Sequence, residues 1–299
     1  MKTNDLFPAG LFLLLLLAAC EPEADIISPQ AANVNFYDAT EMLAAQAADA
    51  GAGAYELRFP ILINTQDKDS ASMFPTFIYS KSGEGSGQAP SGAGSVPHME
   101  EKVAYYLRLA AGKNRFIFYC DPLPFISKTA ERELPPQSNT LFYLADSLRD
   151  DNITDYTVVT ADERLESENR EKVNFRFVHL SPDAGKITLR FKKRDGGYAT
   201  AAPDVSASFP GYTGYFAVDT TGLVNNRNKL PFDVLDESGG VLLSSALHTG
   251  VGGNYHIVLR GFIETRQLKY PYMRQSDGNI LYKNITIKQN VRTAIRRVF

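Results

Sequence analysis

The strongest constraint on the fold is a period of two in hydrophobicity that recurs along most of the chain. Tyr55, Leu57 and Phe59 alternate with Glu56 and Arg58, and Ile187, Leu189 and Phe191 with Thr188, Arg190 and Lys192. Tyr255, Ile257 and Leu259 alternate with His256 and Arg260, and Ile285 and Ile287 with Thr286 and Lys288. Successive strand side chains point to opposite faces, so each run has one apolar and one polar face, the pattern of antiparallel sheets that pack by one side. Turn formers such as Asp195-Gly196-Gly197 and Glu237-Ser238-Gly239-Gly240 separate the runs at short intervals. The aromatic content, 15 Tyr and 18 Phe, also favours strands. These features predict an all-β chain of antiparallel β-sandwich, immunoglobulin-like domains. Only Asp38 to Ala50 has helical character, with Asp38 three residues ahead of Glu41 in capping-box spacing, and a short helix is expected there.

A repeat sets the domain count. Asn35-Phe36-Tyr37-Asp38-Ala39-Thr40 aligns with Arg176-Phe177-Val178-His179-Leu180-Ser181. Later in each block come an aromatic strand, a turn and a second strand: Tyr105-Tyr106-Leu107 to Phe116, and Tyr215-Phe216-Ala217 to Phe232. Each block then has a strand after a polar turn, at Asn139-Thr140-Leu141-Phe142-Tyr143 and at Gly253-Asn254-Tyr255-His256-Ile257. Two tandem sandwiches are expected, residues 33–165 and 172–299, joined through the charged stretch Asp162 to Lys172, with few packed residues between them. Residues 82–96, rich in Gly and Ser, have almost nothing to bury and form a loop inserted in the first copy; no Lys-Ser/Thr follows that would make it a phosphate cradle.

Composition narrows the partners. With 44% hydrophobic and 22% charged residues the chain has the make-up of a folded protein, and its 31 basic and 34 acidic residues are interspersed without a basic stripe, which disfavours nucleic acid. The lack of Trp weakens a sugar-stacking surface built on indoles without removing one built on Tyr.

The N-terminus has the features of an address. Lys2 precedes an apolar run from Leu11 to Leu17, too short to span a bilayer, which takes about 20 residues. Leu17-Ala18-Ala19-Cys20 closes it and resembles a bacterial lipobox. That resemblance implies a lipoprotein signal peptide over residues 1–19 and acylation of Cys20, with residues 20–32, acidic and proline-containing, as a tether. The implied anchor is a membrane held through N-terminal lipid, at roughly 0.8 kcal/mol per buried methylene. The alternative is an ordinary secretory signal with a chance cysteine. The acidic stretch after Cys20 also resembles the surface-export signal of Bacteroidetes lipoproteins. Cys120 is then unpaired, and as the end of the strand-like run from Arg115 it is expected to be a small buried hydrophobe rather than a nucleophile.

In the second block, Arg176-Phe177-Val178-His179-Leu180-Ser181-Pro182-Asp183-Ala184, Gly211-Tyr212-Thr213-Gly214-Tyr215 and Gly252-Gly253-Asn254-Tyr255 resemble domain-of-unknown-function family 4397 over residues 172–262. The resemblance implies a secreted or cell-surface β-sandwich with no assigned activity and no catalytic residues to carry over.

Several constellations tempt a chemical reading. His179, Ser181 and Asp183 are the residue types of a hydrolase triad, but Asp183 follows Pro182 into a turn and the first copy holds Asp38 and Thr40 instead, so a structural turn is expected and no catalytic residue is assigned. The histidines His98, His179, His248 and His256 are scattered, and no metal site or cofactor is assigned. Asp146, Asp150, Asp151 and Asp155 read as an acidic loop with calcium as a question left open. Glu131 and Glu133 read as solvated loop charges. Asp69-Ser70-Ala71, Asp146-Ser147-Leu148 and Asp219-Thr220-Thr221 fit a three-residue O-glycosylation motif of Bacteroidetes envelope proteins. The expectation is an outer-membrane lipoprotein, surface-exposed or periplasmic, that binds another envelope protein or a glycan without catalysis. A glycan-binding accessory lipoprotein, with Tyr270 and Tyr272 around Pro271 as a stacking platform, is the alternative, and a hydrolase the further one.

Overall fold

A computed structural model describes residues 30–49, 57–67, 75–79, 106–119, 127–163, 172–200, 202–221, 223, 229–248 and 253–298. Cys20, His98, Cys120, the 82–96 segment, Asp69-Ser70-Ala71 and most of the 162–172 junction lie outside these residues. The described chain is all-β apart from one helix.

In the N-terminal half the strands are β1 (Ala31–Asp38), β2 (Leu57–Ile63), β3 (Thr76–Tyr79), β4 (Leu107–Ala110), β5 (Gly112–Tyr119), β6 (Ser127–Leu134), β7 (Asn139–Leu148) and β8 (Thr154–Glu163), with helix α1 at Met42–Asp49. They form two sheets, in the orders β4-β1-β7-β8 and β3-β2-β5-β6. The C-terminal half has β9 (Lys172–Leu180), β10 (Lys186–Phe191), β11 (Val205–Ser208), β12 (Gly211–Tyr212), β13 (Phe216–Asp219), β14 (Lys229–Leu235), β15 (Val241–His248), β16 (Gly253–Arg260), β17 (Arg266–Arg274), β18 (Ile280–Ile287) and β19 (Arg292–Val298). Its sheets run β12-β9-β16-β19, with β13 also on β9, and β11-β10-β14-β15; β17 and β18 form a separate two-stranded ribbon.

The two halves repeat the same connections. In each, the first strand pairs in parallel with a late one, β1 with β7 and β9 with β16, whereas the other pairs are antiparallel. Even one rung is repeated: Asn33 pairs with Asn139 and Asn174 with Asn254, and in both an Asn Nδ2 donates to the partner's Oδ1, at 2.8 and 3.2 Å. What differs is the last connection. β7 reaches β8 by a tight turn, while β16 reaches β19 through the β17–β18 ribbon.

Facing sheets pack through aromatic rings. Phe36 of β1 and Phe142 of β7 meet Phe116 of β5 at 5.6 and 4.5 Å between centroids, and Phe175 of β9 meets Phe191 of β10 at 4.8 Å. Such tilted and edge-on pairs add to the burial of large apolar surfaces. The alternation read from sequence therefore holds on the inner faces.

On the other faces it misleads. All eight residues of β16 and all but the first of β9 are buried. The polar face of this sheet is covered by the β1-β7-β8 sheet of the first half. Val178, Leu180 and Val258 join the first half's core, together with Leu268, Tyr270, Ile285 and Ile287 of the ribbon. The expectation of few packed residues between the copies is thus corrected. Period two reports the chemistry of a face, not whether another layer covers it.

Helix α1 begins at Met42, not at Asp38, and its cap comes from elsewhere. Asp146 of β7 accepts the Glu41 and Met42 backbone N–H groups at 2.6 and 3.2 Å, satisfying donors that a helix start leaves open. Asp38 instead closes its own turn, accepting the Thr40 N–H and hydroxyl at 2.8 and 2.7 Å.

Candidate functional site

The seam between the two halves gathers most of the buried ionisable groups. At one node Glu163, the last residue of β8, takes three partners from the second half. Arg176 Nη1 donates to Oε1 at 2.6 Å, His256 Nε2 donates to Oε2 at 3.1 Å, and the Tyr215 hydroxyl donates to Oε2 as well. His256 is fully buried, and desolvation pushes its pKa down against the pull of Glu163. A neutral ring with its proton on Nε2 then leaves Nδ1 to accept from the Tyr143 hydroxyl of β7. The Arg176 guanidinium lies over the Tyr212 and Tyr215 rings, at 5.0 and 4.6 Å. Arg296 of β19, also buried, donates to Asn35 Oδ1 at 3.0 Å and lies over the Tyr37 ring at 4.4 Å.

The second node is centred on Glu41, at the end of the seam where β1 runs into α1. Arg260 Nε donates to Glu41 Oε1 at 2.8 Å, while its Nη1 and Nη2 reach the Asp38 and Thr40 carbonyls at 3.2 and 3.0 Å. Arg292 and Asn290 approach the same carboxylate at 2.9 and 3.1 Å. Around this node burial raises the Asp146 pKa well above the carboxylate range and that of Asp38 to about 6, although Arg260 opposes the latter. Gly261 follows Arg260 with φ near +85°, and a Cβ there would sit 2.6 Å from the Asn290 carbonyl oxygen, so only glycine lets the chain leave β16 beside this node.

The carboxylates of these nodes are engaged on several sides, whereas Arg176 Nε, Arg296 Nε and Nη1 and the Tyr37 hydroxyl are buried without a hydrogen-bond partner among the described residues. Each carboxylate is engaged by guanidinium, imidazole, hydroxyl or amide donors, and the groups bridge elements of opposite halves. That arrangement holds two sheets in one register; buried charge that is paired on several sides is tolerated, and removing one partner is costly.

The residues singled out from sequence are placed as follows. His179 is buried, with its Nε2 donating to the Gly185 carbonyl at 2.8 Å and its Nδ1 accepting the Ser181 backbone N–H at 3.3 Å. Both ring nitrogens are thus committed to backbone. Asp183 accepts from the Ile263 N–H at 2.9 Å and from Arg266 Nε at 3.1 Å, so the three residue types are not brought into a relay.

Asp146 separates from the acidic loop. It is buried under α1, Asp155 pairs with Lys128 at 2.6 Å, and Asp151 with Arg149 at 2.8 Å. Strand alternation sends Asp146 and Asp155 to different faces, and among the described residues no three His, Cys, Asp or Glu side chains are placed to hold a metal ion. Glu131 is exposed and pairs with Lys113, and Glu133 is likewise exposed. Of the glycosylation motifs, Ser147 is half-buried beside Asp146, and Asp219 is exposed and accepts the Thr221 N–H at 2.8 Å.

The expected platform of Tyr270 and Tyr272 is corrected. Tyr270 is buried in the first half's core, and a register shift after Pro271 breaks the period that would turn Tyr272 inward with it, so Tyr272 faces solvent. The Tyr that does accompany Tyr272 is Tyr282. A β-bulge lets Pro271 and Tyr272 together oppose Tyr282, which brings the two rings to the same outer face of the ribbon. Of the six exposed large hydrophobic residues described, three, Tyr272, Met273 and Tyr282, lie in this ribbon. The base of the ribbon is fixed to the first half: Lys269 N donates to the Asn152 carbonyl at 2.8 Å, and β18 lies against α1.

Sequence reasoning missed the seam. A usable signal was present: Phe-Val in Lys-Val-Asn-Phe-Arg-Phe-Val-His-Leu and Ile-Val-Leu in Gly-Asn-Tyr-His-Ile-Val-Leu-Arg put an apolar residue, Val178 and Val258, on the face that the alternation marks as polar. No protein-family model matches the chain, and no curated protein matches it.

Proposed function

We propose that this chain is a lipid-anchored binding module of the bacterial cell envelope. In this reading Cys20 is acylated after loss of residues 1–19, residues 20–30 tether the protein to the outer membrane, Ala31 and Ala32 already belonging to β1, and the two halves, to residue 165 and from 172 to 299, are tandem immunoglobulin-like sandwiches. The resemblance of residues 172–262 to family 4397 carries the same expectation of a surface-associated sandwich. The observation that favours binding over catalysis is the contrast between two regions: the seam's carboxylates are buried and engaged by guanidinium, imidazole and hydroxyl donors, while two of the four exposed aromatic residues described, Tyr272 and Tyr282, share the β17–β18 ribbon. A catalytic centre requires ionisable groups that meet substrate.

Glycan binding is the second reading, favoured by the paired exposure of Tyr272 and Tyr282.

Fractionation tests the anchor. The wild-type protein is expected to partition into detergent with the outer membrane, and Cys20→Ala to remain unprocessed or soluble. A Cys20→Ala protein that matures and partitions like wild type defeats the lipid-anchor reading. Turnover of ester or peptide substrates abolished by Ser181→Ala, in folded protein, defeats the non-catalytic one.

A further inference from the structure

We infer that the outer face of the β17–β18 ribbon is a binding surface for an acidic glycan, one whose sugars carry carboxylates. The inference rests on the binding-module reading and names its ligand class.

Strand pairing orders the residues of this face. Gln267 stands opposite Thr286, Lys269 opposite Asn284, Pro271 and Tyr272 opposite Tyr282, and Arg274 opposite Ile280. The two tyrosines therefore sit midway along the face, with a cation on either side of them along β17. Tyr272 and Tyr282 are 38% and 43% exposed, and among the described residues neither has a hydrogen-bond or ring partner. Other exposed tyrosines are occupied: Tyr198 donates to Asp233 at 2.9 Å and lies under Arg190, and Tyr212 lies under Arg176. The ribbon's rings are thus open faces that a flat, largely C–H surface such as a pyranose can cover.

Charge selects among the sugars that fit. β17 and β18 contain no acidic residue, in a chain whose net charge is −3; of their cations Arg266 is paired with Asp183 and Glu264 and Lys283 stands opposite the inward Tyr270, which leaves Lys269 and Arg274 on the outer face. The ribbon's carboxylate, Asp277, lies in the turn beyond the face and is held by the Asn279 backbone N–H and side-chain amide at 2.9 and 2.8 Å. Lys269 and Arg274 are exposed on a face free of acids, so the field there favours an anionic ligand, while hydroxyl-bearing groups find the Asn284 amide and the Gln267 amide nitrogen along the same face, the Gln267 carbonyl accepting from Thr286 at 2.9 Å. Cations beside aromatic faces and amides match a uronic-acid polymer better than a neutral one, which would leave both cations without partners. A lipid surface is disfavoured by the polar row: an interfacial element presents a continuous apolar face.

The test is affinity electrophoresis and calorimetry of the full, detergent-solubilised protein with three probes: polygalacturonate, dextran and phosphatidylglycerol vesicles. Polygalacturonate is expected to bind, more weakly as salt rises, and dextran not to bind. Tyr272→Ala, Tyr282→Ala and Arg274→Glu are each expected to weaken polygalacturonate binding about tenfold or more, the loss typical of a central interface anchor, with the melting temperature unchanged. Wild-type protein that ignores polygalacturonate, binds dextran equally well, or binds only the vesicles overturns the inference, as does binding that all three variants retain. These outcomes are independent of the Cys20→Ala and turnover experiments, so the ligand assignment and the binding-module reading fail separately.

Discussion

The inner cores and the seam are both buried interfaces between sheets, yet they are built from opposite materials. Phe36, Phe116 and Phe142 meet ring to ring among aliphatic side chains in the first core, and Phe175, Phe191 and Phe232 do the same in the second. Between the halves, apolar contacts from Val178, Leu180 and Val258 are interleaved with Arg176, His256, Arg260 and Arg296. An apolar core tolerates small shifts of packing, because the hydrophobic effect has no direction. Hydrogen-bonded ion pairs do not: Arg260 satisfies Glu41 and two carbonyls only at one offset of the sheets. The cores supply adhesion within each half, and the seam supplies alignment between them.

The most severe way to break this comparison is to remove one side of the seam. Residues 172–299 expressed alone would expose Val178, Leu180, Val258, Leu268, Tyr270, Ile285 and Ile287 to water along with their buried cations. That fragment is expected to lack a cooperative thermal transition, while the full chain melts in one step. A fragment that melts cooperatively, near the temperature of the full chain, would show the seam to be dispensable.

A subtler test separates alignment from adhesion. Glu41→Leu leaves Arg260 buried beside an apolar group and is expected to cost about 3–5 kcal/mol in urea denaturation. The Glu41→Leu/Arg260→Met double variant is expected to recover most of that loss, since replacing a whole buried pair by apolar groups is often neutral. Equal losses in the single and double variants would mean that the pair, not the stranded charge, carries the stability. In the cores no such recovery is available, because removing a ring only opens a cavity.

The smallest expected effect concerns pH. Asp38 titrates at about 6 in the folded chain against an ordinary 3.8, so between these values the folded state holds a proton that the unfolded state has lost. This group's contribution to stability is complete below about pH 3.8 and is lost as pH rises through 6. Asp38→Asn keeps an acceptor for Thr40 and removes the titration. Its stability relative to wild type is therefore expected to rise between pH 4 and 6, by at most about 3 kcal/mol, as followed by urea denaturation across that range. A difference that does not change with pH would place the Asp38 charge in water rather than under Arg260.

How much of this was legible follows from what alternation can and cannot report. The strands at Ile187 and Tyr255 lie where the period places them because one side of each packs on its own half, and the strand at Ile285 because one side of it packs on the first half. The aligned motifs at Asn35 and Arg176 fall at corresponding places of β1 and β9, where the repeated Asn rungs two residues earlier fix the register. His256 and Arg260 were read as solvated because polar side chains on alternate positions usually are; their partners Glu163 and Glu41 are distant in sequence and on the other half. Tyr282 was missed for a different reason. A one-residue bulge reversed the parity that would have turned Tyr272 inward with Tyr270, and nothing in Tyr-Pro-Tyr-Met announces it beyond the proline.

The parallel pairing of β1 with β7 also matters for how the molecule bears load. Tension entering through the residues before Ala31 pulls β1 along its own axis, between β4 on one side and β7 on the other. The ladder bonds lie across that direction, so the rungs from Asn33 to Asp38 share the force at once instead of parting one after another from an end. Resistance to forced unfolding is a matter of rate rather than of equilibrium stability. A strand loaded in shear at its N-terminal end therefore yields more slowly than one peeled away rung by rung.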